Sequence, residues 1–283
     1  MADIGEKLNE FHDQSGLITV SVFKLQAQNE QKNFTDFGVN VTGDMVAVGG
    51  GGTAVESPEG ALLTASYPND DLSGWLVSSR EHITPNAHRL TAYAIGMKIK
   101  GMSRDQLMNY VFVNAAHSEF TEHPEVTTTR PNNKYVLING GFKVENQGYT
   151  GNFGTASFPE APEYNSWRAR STDHGPFAED YEFLKVYGIA IKQQLPLGNV
   201  LSSFQLANSA TVKHPAAAAN LAPGFALCGG GAEVRYNGPG VLLWKLEPTT
   251  NNVQSFTAAS KDHVEPDTGT ITTYAIGIQL QPI

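Results

Sequence analysis

Three short stretches of the sequence combine a serine, a carboxylic acid and a histidine at one fixed spacing. In each stretch the serine stands three positions before the histidine, and the acid stands immediately before it. The three sets are Ser79, Glu81 and His82; Ser171, Asp173 and His174; and Ser260, Asp262 and His263. Such side chains could supply a nucleophile with its base, ligands for a metal ion, or hydrogen bonds to a polar ligand.

The spacing argues against the first two kinds of chemistry. Neighbouring residues on an extended strand point to opposite faces, so an acid and the histidine after it cannot hold one ion. Catalytic triads are assembled through the fold rather than along four consecutive positions. The sequence therefore predicts no metal, no cofactor and no enzymatic activity. The principal alternative is a hydrolase that uses the serine, acid and histidine sets.

The remaining interpretation is a ligand-binding site at the loop after each strand, where a carboxylate accepts hydrogen bonds from sugar hydroxyls. A tyrosine follows each histidine after 11 or 13 positions. The predicted ligand-binding residues are Glu81, His82, Tyr93, Asp173, His174, Tyr187, Lys261, Asp262, His263 and Tyr274. The structural alternative, which the sequence leaves open, is that the acid caps the following turn and the histidine packs on the tyrosine.

An aromatic residue stands seven positions before each histidine: Trp75, Trp167 and Phe256. Side chains alternate between the two faces of a strand. The aromatic residue and the serine are therefore predicted to face the core. The histidine is predicted to lie on the opposite, solvated face.

These sets belong to a longer internal repeat. His82 and His174 are 92 positions apart, and His174 and His263 are 89 apart. A glycine cluster opens a strand ahead of each set, and we interpret it as a packing or curvature device, because no Gly-Lys-Ser/Thr sequence indicates a phosphate loop. The repeats are assigned to residues 17–102, 103–194 and 195–283 of one domain spanning residues 17–283.

Each repeat has about four strand-like segments separated by turns rich in Gly, Pro, Asn and Asp, which predicts an all-β fold. Three such units most simply form a pseudo-threefold β-prism. Residues 1–16 are predicted to be a short helical segment, because Ile4, Leu8 and Phe11 share one helical face. Ser103 and Gln106 have the spacing of a capping box and predict one helical turn. The prolines at 215 and 223 predict a loop at residues 216–219.

Composition narrows the functional classes. The 283 residues carry 28 acids against 19 bases, a net charge of −9. Nucleic acid is therefore an unfavourable partner, since its binding requires a basic surface. No apolar run reaches the length of a transmembrane helix. One cysteine, Cys228, fits a reducing compartment. No signal peptide is recognised, so synthesis in the cytoplasm is expected, with any action outside the cell following release.

The combined pieces CGGGA (228–232), LLTASYP (62–68), SKDH (260–263) and YAIGI (274–278) resemble the threefold-repeat β-prism module of bacterial membrane-attack/perforin-type insecticidal proteins. The resemblance covers residues 17–283 as three copies and implies a role in recognising a target surface. We recognise no pore-forming domain in this sequence beside the repeats, and we therefore expect that a pore would require a partner toxin chain.

The sequence thus predicts a lectin-like protein that binds a glycan, glycolipid or glycoprotein receptor, or a glycosylated membrane surface. The resemblance implies that it is the targeting component of a bacterial toxin or antagonistic factor. The alternatives are the hydrolase described above and a structural virion or tail module.

Overall fold

The computed structural model describes residues 3–56, 61–85, 87–145, 151–174, 181–249 and 251–283. The protein is all-β, with 64% of its residues in strands and 2% in helix, and one of its three sheets is a curled half-barrel. None of the helices in the described part of the chain has the length and apolar character needed to cross a membrane.

The strands up to the short helix are β1 (Glu6–His12), β2 (Ile18–Gln26), β3 (Asn33–Asn40), β4 (Val46–Thr53), β5 (Leu62–Pro68), β6 (Gly74–Arg80) and β7 (Thr91–Ile99). The helix is α1 (Arg104–Met108). The second group of strands is β8 (Val111–His117), β9 (Glu125–Thr129), β10 (Tyr135–Glu145), β11 (Asn152–Pro159), β12 (Ser166–Asp173) and β13 (Phe183–Lys192). The last group is β14 (Gln194–Leu195), β15 (Gly198–Asn208), β16 (Ala216–Asn220), β17 (Ala226–Tyr236), β18 (Val241–Pro248), β19 (Ser255–Asp262) and β20 (Gly269–Pro282).

Each sheet combines strands from two of the sequence repeats. The first sheet has the order β1-β2-β7-β4-β18-β19-β16, the second β3-β6-β5-β10-β13-β8, and the third β14-β15-β20-β17-β11-β12-β9. Two antiparallel residue pairs join the two halves of each sheet: Lys245 with Thr53 and Leu246 with Gly52, Phe142 with Ser66 and Lys143 with Ala65, and Ala156 with Glu233 and Ser157 with Ala232. Every repeat therefore contributes to two sheets.

The glycine clusters have the packing role that the sequence predicts. A Cβ atom added at Gly50, Gly140 or Gly230 would lie well inside 3.0 Å of the ring of Trp75, Trp167 or Phe256, respectively. The strand that carries the glycines must therefore approach the aromatic ring with its bare backbone. These three rings are at most 1% exposed, which confirms their predicted place in the core.

The prediction of a helical segment at residues 1–16 is wrong. Glu6–His12 form β1, which pairs antiparallel with β2. Isolated helices this short are marginal in water, whereas pairing with an open sheet edge satisfies the backbone at once. The loop predicted at residues 216–219 is likewise wrong, since Ala216–Asn220 form edge strand β16 on β19.

The helical turn after Ser103 is confirmed. Ser103 accepts a hydrogen bond from the Gln106 backbone N–H, and the Gln106 side chain accepts one from the Ser103 N–H. This reciprocal cap starts α1 where the sequence predicts it.

Candidate functional site

The three histidines of the repeated sets lie together. The ring centroids are 5.8 Å apart for His82 and His174, and 5.4 Å apart for each of the other two pairs. An apolar cluster of Leu62, Phe153 and Leu242 is fully buried, and the Phe153 ring lies 4.9 Å from that of His82. We call these three histidines the histidine cluster.

The histidines were predicted on a solvated face, and for two of them this is wrong. His174 is 3% exposed and His263 is 1% exposed, while His82 is half-buried. Strand alternation correctly separates the histidine from the aromatic residue. It does not reveal that three strands, one from each repeat, end at the same place. The histidines after these strands therefore pack against one another instead of facing solvent.

Hydrogen bonds orient two of the rings. The Nε2–H of His263 donates to the backbone carbonyl of His82 at 2.7 Å, and the Nε2–H of His82 donates to the carbonyl of His174. Neither ring nitrogen of His174 has a hydrogen-bond partner among the described residues. Burial, and to a smaller extent the neighbouring His263 and His82, lower the pKa of His174 to about 4. His174 is therefore neutral at neutral pH.

Among the described contacts, the acids of the repeated sets do not bond to the ring nitrogens of the histidines that follow them. Their backbone N–H groups donate to the carbonyls of residues preceding the outer strands: Glu81 to Lys32, Asp173 to Glu122, and Asp262 to Lys213, at 2.9 to 3.0 Å. The Glu81 carboxylate pairs with Lys32 at 3.3 Å. The Asp262 carboxylate accepts a hydrogen bond from His214 Nε2 at 2.9 Å.

The serine sets do not form triads. The Ser79 hydroxyl is hydrogen-bonded at 2.7 Å to Nε2 of His88 rather than to His82, and both residues of this pair are buried. In the described part of the chain, the hydroxyls of Ser171 and Ser260 have no hydrogen-bond partner. No group of three or more His, Cys, Asp or Glu residues within the described ranges is arranged to hold a metal ion.

The predicted tyrosines lie at the junctions between repeats, away from the histidine cluster. Tyr93 donates from its hydroxyl to Glu247 at 2.9 Å; Tyr187 stacks on Tyr67 and Tyr274 on Phe158, with ring centroids 5.1 and 5.8 Å apart. Burial raises the pKa of Tyr274 to about 12 and also raises the pKa values of Tyr93 and Tyr187.

Lys261, another predicted ligand-binding residue, is fully buried. Its Nζ donates to the carbonyls of Val55 at 2.6 Å and Glu56 at 3.1 Å. This lysine therefore anchors the segment after β4 to β19.

Two polar grooves occupy equivalent positions in two sheets, beside the joints where strands of different repeats meet. Groove A, about 570 Å³, lies between β6 of the first repeat and β10 of the second. Groove B, about 390 Å³, lies between β12 of the second repeat and β17 of the third. Because two residue pairs join the half-sheets, the strands can diverge beyond each joint and leave such a space.

Groove A is lined by hydroxyl and charged groups, among them Thr64, Ser78, Arg80, Lys143 and Glu145. The Lys143 ammonium donates to Asp36 at 3.1 Å and to the Tyr67 hydroxyl at 2.9 Å. These bonds fix the ammonium at the wall of the groove.

Groove B has a different charge arrangement. Its lining includes His123, Thr155, Arg170, Arg235 and Tyr236. Both guanidinium groups bond to the carboxylate of Glu233, Arg235 at 2.9 Å. Arg170 also lies 3.7 Å from Glu125.

The third repeat carries different residues at the corresponding positions. Trp244 stands where the first two repeats have Thr64 and Thr155, and Lys261 stands where the first has Arg80. The indole is larger than threonine, and the Lys261 amine is engaged with the backbone of Val55 and Glu56.

Comparisons with known proteins do not identify a family. No protein-family model and no curated protein matches the sequence. One solved structure aligned with the chain belongs to the Sulfolobus turreted icosahedral virus, with 7% identity, a TM-score of 0.14 and all of both chains covered. Another, from an archaeal virus with a triple jelly-roll fold, has 9% identity and a TM-score of 0.13, and covers 100% of this chain and 98% of the other. Such low scores indicate neither a shared fold nor a shared function.

The sequence reasoning missed the groove residues. Thr64 and Thr155 occur in the matched strands LLTASYP and GTASFP, so the repeat itself contains part of the signal. Lys143 and Arg80 stand 63 positions apart and come from different repeats, and their proximity requires knowledge of which strands are neighbours.

Proposed function

We propose that this chain is a non-enzymatic, lectin-like protein that binds a glycan or a glycosylated membrane surface through grooves A and B. The observation that carries the proposal is the occurrence of two polar grooves at repeat-equivalent positions on two different sheets. A repeated site on one rigid body is the arrangement that gains most from a surface bearing many copies of one ligand.

The lining groups suit sugar hydroxyls, which both donate and accept hydrogen bonds. Groove A offers the donors Arg80 and Lys143 beside the acceptor Glu145, together with threonine and serine hydroxyls. Groove B adds the ring of Tyr236, whose apolar face can stack on a sugar while its hydroxyl stays hydrated. Individual affinities in the millimolar range, about −4 kcal/mol, would be multiplied by simultaneous engagement.

The architecture we propose with this function is a pseudo-threefold β-prism of the three sequence repeats. Support comes from the common strand order of the sheets, the three equivalent joints between repeats, and the meeting of His82, His174 and His263. In such a body the grooves lie on separate faces. They can therefore contact separate receptors.

The biological setting we propose follows from the family resemblance rather than from the grooves. In that setting the chain is the targeting component of a bacterial toxin or antagonistic factor, and a partner chain supplies any pore. The hydrolase alternative would have to use the Ser79–His88 pair. Both side chains are at most 2% exposed, so the Ser79 hydroxyl offers little surface to a substrate although the residue borders groove A.

The test is a glycan array followed by binding to liposomes that carry the best glycolipid. Arg80→Ala in groove A and Tyr236→Ala in groove B should each weaken surface binding several-fold. The double variant should lose more than the product of the two losses, because avidity disappears. Arg89→Ala is the matched control, since the Arg89 side chain is 54% exposed and does not line either groove. Absence of any glycan signal with the wild-type protein, or full binding by the folded double variant, would overturn the proposal.

A further inference from the structure

Strand β8 is an open edge of the second sheet. Its register with β13 follows from two flanking hydrogen bonds: Lys192 N–H donates to the Tyr110 carbonyl, and Ser118 N–H donates to the Leu184 carbonyl. The even-numbered residues of β8 therefore direct their backbone N–H and C=O groups toward β13. In an antiparallel pair the alternate residues direct their N–H and C=O groups away from that neighbour. Val111, Val113 and Ala115 therefore present backbone groups outward, and these groups have no backbone partner within the described ranges.

The corresponding strand of the first repeat shows what such an edge can do. There β1 covers β2 along its length, from Glu6 opposite Lys24 to His12 opposite Thr19. In the third repeat β14 covers the beginning of β15, through Gln194 and Leu195. Addition of a strand at this position is thus already part of the fold, and β8 presents the same edge without a covering strand in the described part of the chain.

The side chains of β8 lack the features that usually protect an edge. Folded proteins block open strands with charges, especially lysine, or with proline. Residues 111–116 contain neither, whereas β1 contains two glutamates and a lysine. Phe112 is 41% exposed and Val113 is 37% exposed. Beyond the end of β8, Phe120 and Tyr181 are also exposed and have ring centroids 5.8 Å apart.

We propose that β8 pairs antiparallel with β8 of a second copy of this chain. A two-fold axis makes this pairing self-complementary, because each copy offers the same uncharged strand. With the register centred on Asn114, Val113 lies opposite Ala115 of the second copy and the outward N–H and C=O groups of both residues bond. The two six-stranded sheets then become one continuous sheet across the dimer.

The first experiment measures mass against concentration by light scattering. The apparent mass of the wild-type protein should rise with concentration from 30.5 kDa toward twice that value. Val113→Lys should shift the dissociation constant at least 10-fold toward monomer, while Val113→Thr should retain the dimer. Val253→Lys is the control, because Val253 is 56% exposed and lies outside the strands. A monomeric wild type at all concentrations would overturn the proposal.

The second experiment tests the register. The residue at the two-fold axis faces its own copy as a non-hydrogen-bonded pair, the closest kind of cross-strand pair. Asn114→Cys should therefore form an intermolecular disulfide on mild oxidation, and the native Cys228 cannot contribute because it is buried. Leu206→Cys on β15 is the comparison variant. Cross-linking of Leu206→Cys without cross-linking of Asn114→Cys would reject β8 as the interface.

Discussion

The histidine cluster makes a sharp prediction about stability at acidic pH. His174 is 3% exposed, and its ring nitrogens have no hydrogen-bond partner among the described residues. Protonation would place a charge in a buried site beside His263 and His82, and only the backbone at His174 and the Asp267 carboxylate act to raise its pKa. The neutral form is therefore strongly preferred in the folded protein.

The sign and size follow from the two pKa values. The pKa of His174 is about 4 in the folded state against 6.5 for an ordinary histidine. Above pH 6.5 the His174 ring is neutral in both the folded and the unfolded protein, so it does not lower the free energy of unfolding. As the pH falls from 6.5 to about 4, the unfolded chain takes up the proton first, so the folded state loses stability. The full loss, at about 1.4 kcal/mol per pH unit, is about 3.5 kcal/mol and is reached below pH 4.

The assay is urea unfolding at about pH 7.5 and about pH 4, which span this window. Carboxylates also titrate there, so the informative quantity is the difference between the wild type and His174→Gln. We expect the variant to lose about 2–3 kcal/mol less than the wild type on acidification, whatever its stability at neutral pH. His12→Gln is the control, because the His12 side chain is 54% exposed. Parallel pH profiles for the wild type and His174→Gln would refute the reasoning.

The remaining predictions concern packing between repeats. Trp167→Ala should destabilise the protein by about 3–5 kcal/mol, since the ring is fully buried and its Nε1–H donates to Ser157, and urea unfolding measures the loss. Gly140→Ala should cost about 1–3 kcal/mol, because the new methyl group collides with the same ring; an unchanged unfolding midpoint would show that the core yields. Tyr93→Phe should cost about 1 kcal/mol, because Glu247 loses one of its two hydroxyl donors and keeps that of Thr53. Tyr187→Phe, whose hydroxyl has no hydrogen bond among the described residues, should cost little. Equal effects of the two tyrosine variants would contradict that assignment.

Local sequence rules predicted much of the fold because they describe contacts that the chain makes with its near neighbours. Strand alternation placed Trp75, Trp167 and Phe256 in the core, and capping chemistry located α1. The same rules failed at residues 1–16. An apolar spacing of four and three positions suits a helix, but the open edge of β2 offers more backbone hydrogen bonds to so short a segment.

The candidate site was less predictable, because it depends on which repeats become neighbours. The acid and histidine pairs are conspicuous in the sequence, yet the acids bond to residues beside the outer strands, while His174 and His263 are buried together. Groove A needs Arg80 and Lys143 from different repeats. Internal repetition predicts that sites recur. It does not tell which strands of successive repeats will border the same groove.

The repeats differ most where packing does not restrict them, and this changes the expected mode of binding. Each glycine that supports a core ring is kept in all three repeats. The groove positions instead carry unlike residues: Thr64, Thr155 and Trp244; Ser78, Arg170 and Ala259; and Lys143, Glu233 and Thr53. A core ring leaves no room for a Cβ atom against its face. A position on a groove wall can instead carry a residue of different charge without disturbing the strands. The three repeats therefore do not form three equal candidate binding sites. Grooves A and B differ in charge arrangement, and the third position holds a tryptophan and a buried lysine, so a receptor that engages more than one face must present chemically different groups to each.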